Sequence, residues 1–384
     1  MNILMLSTDK KIFEEKSFVR QRLLDYSELV DNLCVIVLNL DSESYKKIRI
    51  GEKCTVYPTN STSKFLYIFD AIKIASNIKE FKSTNKKKID LITAQDAYET
   101  GFIAWVISKK IKIKLELQIH TDLFNRYFKK HSFANFFRST IARFLLSQAN
   151  HIRVVSKRIE QSLPKKIQKK PITVVPIFTS SNLIQVSAPN FSLKKKYSQF
   201  KFIILMMSRL ESEKNISLAI SAMEDVIDIF PKTGLIIVGE GSQRKNLRRL
   251  ARRKGLEEKV IFKKWTDDPI SYYKTADLFL STSNYEGYGL SLVEAIVSKC
   301  PILTTKVGIV GEVLSGNNAL LCEVGNEKCI AQSIKNVQQH PELAEELKEK
   351  AYNDFMNKIP QSRNENLALI KEGWSKAIGD ELKV

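Results

Sequence analysis

Residues Phe202–Met207 read Phe-Ile-Ile-Leu-Met-Met and run straight into Ser208-Arg209-Leu210-Glu211-Ser212-Glu213-Lys214-Asn215. An unbroken apolar run that ends in a polar turn predicts a strand buried on both faces, as in a parallel sheet. Behind the turn, Ile216, Ile220, Met223, Ile227 and Phe230 recur at helical spacing, and Asn215 stands where an N-cap would. The unit is therefore strand, loop, helix, and the same unit repeats along the chain.

In the first half the strand candidates are Asn2–Leu6, Leu33–Leu38, Asp90–Thr93, Ile113–Ile119, His151–Val155 and Ile172–Pro176. In the second half they are Phe202–Met207, Leu235–Val238, Val260–Phe262, Leu278–Ser281, Ile302–Thr304 and Ala319–Cys322. Strands alternating with helices predict α/β architecture with parallel sheets, and two such series predict two Rossmann-like, doubly wound domains facing across a cleft. We place the first domain at 1–180, a linker at 181–200 within Thr179–Phe200, the second domain at 201–360 and a C-terminal helix at 361–384.

At 384 residues, with 43% hydrophobic and 27% charged, the chain is neither disordered nor collagen-like. No apolar run approaches the ~18 residues that cross a bilayer, and Met1–Ser7 leads directly into a charged segment, so the expected location is cytoplasmic. Five cysteines without a C-x-x-C pattern predict no disulfide framework. Cys322 and Cys329 lie seven apart without a nearby histidine, which argues against zinc. The net charge of +19 is concentrated: residues 101–185 carry 16 Lys and Arg against 3 Asp and Glu. A half this basic suits an anionic membrane, a nucleic acid or a phosphorylated substrate; a merely Lys-rich surface habit is the plainer alternative.

Ligands of doubly wound sheets bind at the carboxyl ends of strands, so the strand exits carry the functional reading. Arg209 and Lys214 flank a helix N-terminus, which already favours anions; a guanidinium and an ammonium there suit a diphosphate, and two surface cations near a turn are the bland reading. Gly239-Glu240-Gly241-Ser242 follows Leu235–Val238 and admits close backbone approach to a ligand. The next helix carries Arg244, Lys245, Arg248, Arg249, Arg252, Arg253 and Lys254, either a solvated outer face or a second anion-binding surface. After Leu278–Ser281 comes Asn284-Tyr285-Glu286-Gly287-Tyr288-Gly289-Leu290-Ser291-Leu292-Val293-Glu294-Ala295. A carboxylate inside an otherwise apolar helix needs a partner: a ribose diol, or a buried Lys or Arg.

Arg209-x4-Lys214, Gly239-Glu240-Gly241 and Glu286-Gly-Tyr-Gly-x4-Glu294 stand in an order and spacing that resembles glycosyltransferase family 4. The likeness covers most of 201–325 and extends loosely to Asp90–Asp96, Gln118–Asp122 and Val154–Ser156. It implies a retaining, nucleotide-sugar-dependent glycosyltransferase of the GT-B fold. It implies that Arg209 and Lys214 hold the donor diphosphate with Gly239 and Gly241 close by. Glu294 would bind the ribose, and Glu286 with the amides of Gly287, Tyr288, Gly289 and Leu290 the donor sugar. His120, the remaining catalytic candidate, would face that sugar from the first domain; a capped strand-end histidine is its plainer reading. The chain departs from the pattern in the glycine-free loop Ser7–Lys11, at Ser208 and Cys300 where glycine is common, and in Pro176–Ser180, which lacks Asn-Gly. After Lys11 no glycine follows through Arg22, and within that longer stretch Ser17 and Arg20 are the candidate acceptor-side residues.

The expected reaction is front-face substitution with the phosphate leaving group stabilised by cations. No D-x-D occurs, and neither a metal nor another cofactor is expected. On the acceptor side, Arg126, Lys129 and Lys130 alternate with Phe124, Tyr127 and Phe128, so this loop is expected to touch an anionic membrane surface. Phe133, Phe136, Phe137, Ile141, Phe144 and Leu145 follow helical spacing; Phe137, Ile141 and Phe144 are expected to face the core. The implied acceptor is a growing glycan or a lipid-linked one. A nucleic-acid-binding protein would explain the basic half but neither Glu286 nor Glu294, and a GT-B phosphorylase would need a cofactor-lysine signature that the sequence does not show.

Overall fold

The computed structural model describes residues 1–78, 89–179, 184 and 186–379. The chain divides into two units, one of Met1–Val155, Ile159–Val175 and Arg363–Val384, the other of Ser156–Arg158 and Pro176–Ser362. Part of the expected linker lies outside the described residues. Its later part belongs to the second unit: Leu193, Tyr197 and Phe200 are buried there, and Phe191 packs edge-on against Tyr272.

The sheet of the first unit contains β1 (Asn2–Ser7), β2 (Asn32–Val37), β3 (Ile48–Ile50), β4 (Cys54–Pro58), β5 (Leu91–Ala94), β6 (Lys114–Ile119), β7 (His151–Val154) and β8 (Ile172–Val174). Its order is β3-β4-β2-β1-β5-β6-β7-β8, parallel throughout except for β3 against β4. The predicted strands are all present; β3 and β4 are additional. Ile48–Ile50 is too short to show a period, and Cys54–Pro58 ends in a proline, a residue confined to strand ends and edges. The helix Arg363–Ile378 lays Leu367, Ile370, Trp374 and Ala377 into the core with Ile3, Leu33 and Val35.

The second sheet contains β9 (Phe202–Met207), β10 (Thr233–Val238), β11 (Val260–Lys263), β12 (Leu278–Ser281), β13 (Ile302–Thr305) and β14 (Leu320–Cys322), all parallel, in the order β11-β10-β9-β12-β13-β14. β9 lies at its centre and is buried almost throughout, as its continuous apolar run requires. The order reverses between β9 and β12, so the exits of those two strands flank the topological switch point where such sheets bind ligands. Both units are Rossmann-like.

Three sequence expectations are corrected. Cys322, at the end of β14, and Cys329, in the first turn of the helix Glu327–Gln339, form a disulfide with their Cα atoms 5.8 Å apart. The strand-to-helix turn brings back two residues that spacing alone left separate. Asn215 stands at the N-cap position of the helix Ile216–Ile227 in the left-handed region (φ 46°) without a side-chain cap bond; its amide group donates to Asn284 instead. The third is an inversion in the basic region. Phe137, Ile141 and Phe144 are exposed, while the helix Phe133–Gln148 buries Asn135, Ser139, Ala142, Leu145 and Leu146. Phe128, expected at a surface, is the buried residue of the helix Arg126–His131. Small and polar side chains allow close helix packing, and the aromatic rings are left on the opposite side.

Candidate functional site

The site in the second unit is built from the loops after β9 and β12. Thr282 Oγ1 donates to the carbonyls of Lys214 and Asn215, and the Asn284 amide donates to the Glu213 carbonyl at 2.8 Å. These bonds fasten one loop to the other and bring Lys214 onto Glu286. The Lys214 ammonium pairs with Glu286 Oε1, which also accepts from Ser283 Oγ at 2.8 Å. Both members of the pair are mostly buried, at 14% and 15% side-chain exposure. Lys214, Glu286, Ser208, Ser283 and Ser291 line one small cavity. Arg209 is different: its side chain is 70% exposed and donates to Glu213 Oε1 at 2.9 Å. Both expected cations are thus at the switch point, each held by a carboxylate.

Beyond Glu286 the chain turns into the helix Leu290–Val297, with Gly289 in the left-handed region at its N-terminus. Among the described residues, the amides of Gly287, Tyr288, Gly289 and Leu290 donate no hydrogen bond. Free amides at a helix start suit phosphate or hydroxyl oxygens. Glu294 is half-buried in this helix. Its Oε2 accepts from the Tyr273 hydroxyl at 2.7 Å, which replaces the buried Lys or Arg that the sequence allowed. Burial raises the carboxyl above its ordinary pKa, and the Tyr273 bond partly offsets this.

The glycines of the β10 exit have a steric reason. Gly239 adopts φ +148°, and a Cβ there would stand 1.9 Å from the Ser208 carbonyl oxygen. Sequence reading missed Glu211 and Gly308. Glu211 accepts from the Ser242 amide at 2.8 Å and the Ser242 hydroxyl at 2.6 Å, tying the β10 exit to the β9 exit. Gly308 (φ +60°) lies under the Glu286 turn, where a Cβ would come 2.4 Å from the Tyr288 carbonyl oxygen. Glu211 stands inside the Arg209–Lys214 motif, and Gly308 follows a strand exit. Away from the switch point, Lys245, Arg248, Arg249 and Arg252 line a cleft of about 590 Å³ with β11, and Arg252 pairs with Glu257 at 3.2 Å.

In the first unit, His120 follows β6 at its carboxyl end. On the face of β6 that carries it, Glu116 and Gln118 precede it at period two. Register sets Thr93, Glu116 and His151 side by side across β5, β6 and β7. Thr93 Oγ1 donates to Glu116 Oε1 at 2.7 Å and accepts from Gln118 Nε2 at 2.8 Å. The Gln118 oxygen is therefore the acceptor for His120 Nε2–H at 3.2 Å, which assigns the tautomer with Nδ1 unprotonated. His151 Nδ1 bonds Glu116 Oε2 at 2.9 Å, and the Trp374 indole donates to Glu116 Oε1 at 3.2 Å. Burial by itself would raise the Glu116 carboxyl; Arg153, His151 and Thr93 outweigh it and hold the pKa below the ordinary value.

Desolvation by the surrounding protein, with repulsion from Arg153 and Arg22, holds His120 well below the usual histidine range. His120 is an exposed residue, so water offsets the desolvation, and the repulsion from the two guanidinium groups is the part of this depression that remains.

Ser17 caps the helix Phe18–Glu28, accepting from the Arg20 amide at 3.1 Å. Arg126 donates to the Tyr127 hydroxyl at 2.8 Å, Lys129 lies over the Phe124 ring, and Lys130 stands in the last turn of the helix Arg126–His131.

Residues 191–354 match the family model described as Glycosyl transferases group 1. This segment falls within the second unit and contains the whole switch-point site. Poly(ribitol-phosphate) alpha-N-acetylglucosaminyltransferase of Staphylococcus aureus is 32% identical over 185 residues, 47% of this chain but 36% of the relative, so the match spans about a third of that relative's length. N-acetyl-alpha-D-glucosaminyl L-malate synthase of Bacillus anthracis is 24% identical over 324 residues, 80% of this chain and 81% of the relative. Among solved structures, Anabaena HepE in complex with UDP superposes with a TM-score of 0.74 at 19% identity, covering 98% of this chain and 100% of that one. The fold is accordingly that of GT-B proteins, with two parallel-sheet Rossmann-like domains.

Proposed function

We propose that this protein is a glycosyltransferase of the family 4 type. It would move a sugar from a nucleoside diphosphate sugar to an acceptor hydroxyl with retention of anomeric configuration. The observation that carries the reading is the junction at the β9 and β12 exits: the Lys214–Glu286 pair beside four undonated amides, with Glu294 oriented by Tyr273 in the helix that follows.

In this reading Arg209 and Lys214 grip the pyrophosphate and stabilise the charge that develops as it leaves. Preorganised donors at such a position are worth about 10²–10³ in rate. Two cations at a helix N-terminus supply this charge, so the proposal needs no divalent metal and no other cofactor. Glu294 Oε1 accepts from the ribose diol while Tyr273 keeps Oε2. Glu286 and the amides of Gly287 to Leu290 take the sugar hydroxyls. The departing phosphate assists deprotonation of the acceptor, so no side chain need become a covalent nucleophile. His120 is proposed as the first unit's contribution, a neutral imidazole oriented by Gln118.

The proposed acceptor is a glycan, a polysaccharide or a glycolipid under construction. The excess of 16 cations over 3 carboxylates in residues 101–185 suits an anionic one, and the S. aureus relative acts on a poly(ribitol-phosphate). The experiment is a thermal-shift panel of UDP- and GDP-sugars followed by turnover with the stabilising donor. Stabilisation by a polynucleotide and by none of the nucleotide sugars would overturn the proposal.

A further inference from the structure

We propose that the face formed by the helices Phe133–Gln148 and Glu99–Ile111 docks the protein on an anionic lipid surface. The residues that carry it are Phe133, Phe136, Phe137, Ile141 and Phe144 of the first helix and Phe102 of the second. Their exposures run from 42% for Phe102 and Ile141 to 88% for Phe133. Phe133, Phe137, Ile141 and Phe144 share one side of their helix by their spacing of three and four. Phe136 meets Phe137 at 5.9 Å, and Trp105, 5.8 Å from Phe102, packs edge-on against Phe144 at 5.3 Å. A water-facing helix ordinarily turns such rings inward, whereas this one buries asparagine, serine and alanine and exposes phenylalanine. A contiguous apolar patch of this kind marks an interaction surface.

Charge decides what covers it. The helix Arg126–His131, which packs on the patch helix, carries Arg126, Lys129 and Lys130, and Arg143 of the patch helix lies over the Phe124 ring that Lys129 also approaches. Residues 101–185 hold 16 cations against 3 carboxylates, and on the face itself Glu99 is paired with Arg138. A second copy placed face to face would set two such segments against each other and desolvate cations without counter-charges. An anionic bilayer accepts the rings at its headgroup boundary and the cations at its phosphates. Among the described residues no helix is long and apolar enough to cross a membrane, so the contact lies along the surface.

The inference stands apart from the transfer reaction, because it uses none of the switch-point residues. The test is flotation of the full chain with phosphatidylglycerol-containing vesicles and with phosphatidylcholine vesicles. The wild type should float with the first and not the second. Phe133→Ser/Phe136→Ser/Phe137→Ser should lower partitioning by about tenfold or more. Because these side chains are exposed, its thermal melt and donor-induced thermal shift should match the wild type. Lys129→Glu/Lys130→Glu should remove the preference for phosphatidylglycerol. Failure of the wild type to float, or flotation of the serine variant as well as the wild type, overturns the proposal. So does a concentration-dependent dimer that the serine variant dissolves, which would assign the patch to a second copy. A missing donor shift in both proteins would instead count against the transfer reading and leave the flotation result to stand alone.

Discussion

The Tyr273 hydroxyl donates to Glu294 Oε2 at 2.7 Å, across the packing of the helices Pro269–Thr275 and Leu290–Val297. Tyr273 is fully buried, so the bond holds the carboxylate in one rotamer, and among the described residues Oε1 accepts no hydrogen bond. The first prediction follows from this division. Glu294→Gln retains the shape but loses the charge, and hydrogen bonds to a charged group are worth about 1.5–3 kcal/mol. Donor affinity should fall roughly 10- to 100-fold. Tyr273→Phe should leave the carboxylate in place but loosely held, weakening the donor less than Glu294→Gln does. Isothermal titration with the nucleotide alone reads both; equal affinity in wild type and Glu294→Gln would remove the ribose role.

Lys214 and Arg209 are predicted to differ. Lys214 is enclosed and already paired with Glu286, whereas Arg209 is largely exposed. Lys214→Ala leaves the mostly buried Glu286 carboxylate with Ser283 as its remaining side-chain partner, so both donor binding and chemistry should suffer, with kcat down about 10²–10³. Arg209→Ala should act mainly on the leaving group: a comparable loss in kcat with less effect on the thermal melt of the unliganded protein. Steady-state kinetics and differential scanning fluorimetry separate the two. Near-normal turnover in either variant removes that residue from the mechanism.

The sheets and the switch-point residues were legible because each rests on a local signal. Phe202–Met207 is apolar without interruption, and the residues after it are polar and charged. The Glu286–Glu294 segment places two carboxylates at a turn and within an apolar helix. What was not legible depends on partners far along the chain. Tyr273 shows no motif, and its role appears only when its helix packs on Glu294. The disulfide needs the turn between β14 and its helix. The exposed rings of Phe133–Gln148 keep helical period, and period alone does not say which side faces inward. There, buried Asn135 and Ser139 reverse the usual choice.

His120 provides a prediction for spectroscopy. Its imidazole stands near Arg153 and Arg22, whose repulsion disfavours the charged form, and the Gln118 oxygen accepts from Nε2–H. A histidine with depressed pKa stays uncharged through the range where an ordinary one titrates, about pH 5–8. Nitrogen-15 shifts of the imidazoles should show one histidine fixed as the Nε2–H tautomer across that range. The assignment comes from its disappearance in His120→Asn. Gln118→Leu should mix its tautomers. A His120 that titrates near its ordinary value would contradict this arrangement.

The Cys322–Cys329 bond sets a further expectation. Cys34, Cys54 and Cys300 are buried and lie outside the disulfide. Thiol titration of the denatured protein should find those three without reductant and all five after reduction. The bond closes a short loop, so Cys322→Ser should lower stability by about 2 kcal/mol or less. It should leave donor affinity unchanged, since β14 lies at the sheet edge, away from the β9–β12 switch point. Five titratable thiols before reduction would show that the bond does not form.

The buried Glu116 cluster makes the first unit sensitive to acid. Burial opposes the carboxylate, Arg153 and His151 prevail, and its folded pKa lies below that of the unfolded chain. The unfolded state therefore takes up the proton first as pH falls. The contribution is fully present above the unfolded value of about 4.3 and is lost as pH drops through the folded value. Glu116→Leu removes the acceptor shared by Thr93, His151 and Trp374 and leaves Arg153 buried without its carboxylate, at a cost of roughly 3–5 kcal/mol at neutral pH. Trp374→Phe removes only the indole bond from a carboxylate that keeps its other partners and should cost about 1 kcal/mol. Urea unfolding at neutral and acid pH measures both. The wild type should lose more stability on acidification than Glu116→Leu, because the variant has no carboxylate left to protonate; equal losses would show that Glu116 is not ionised in the folded protein.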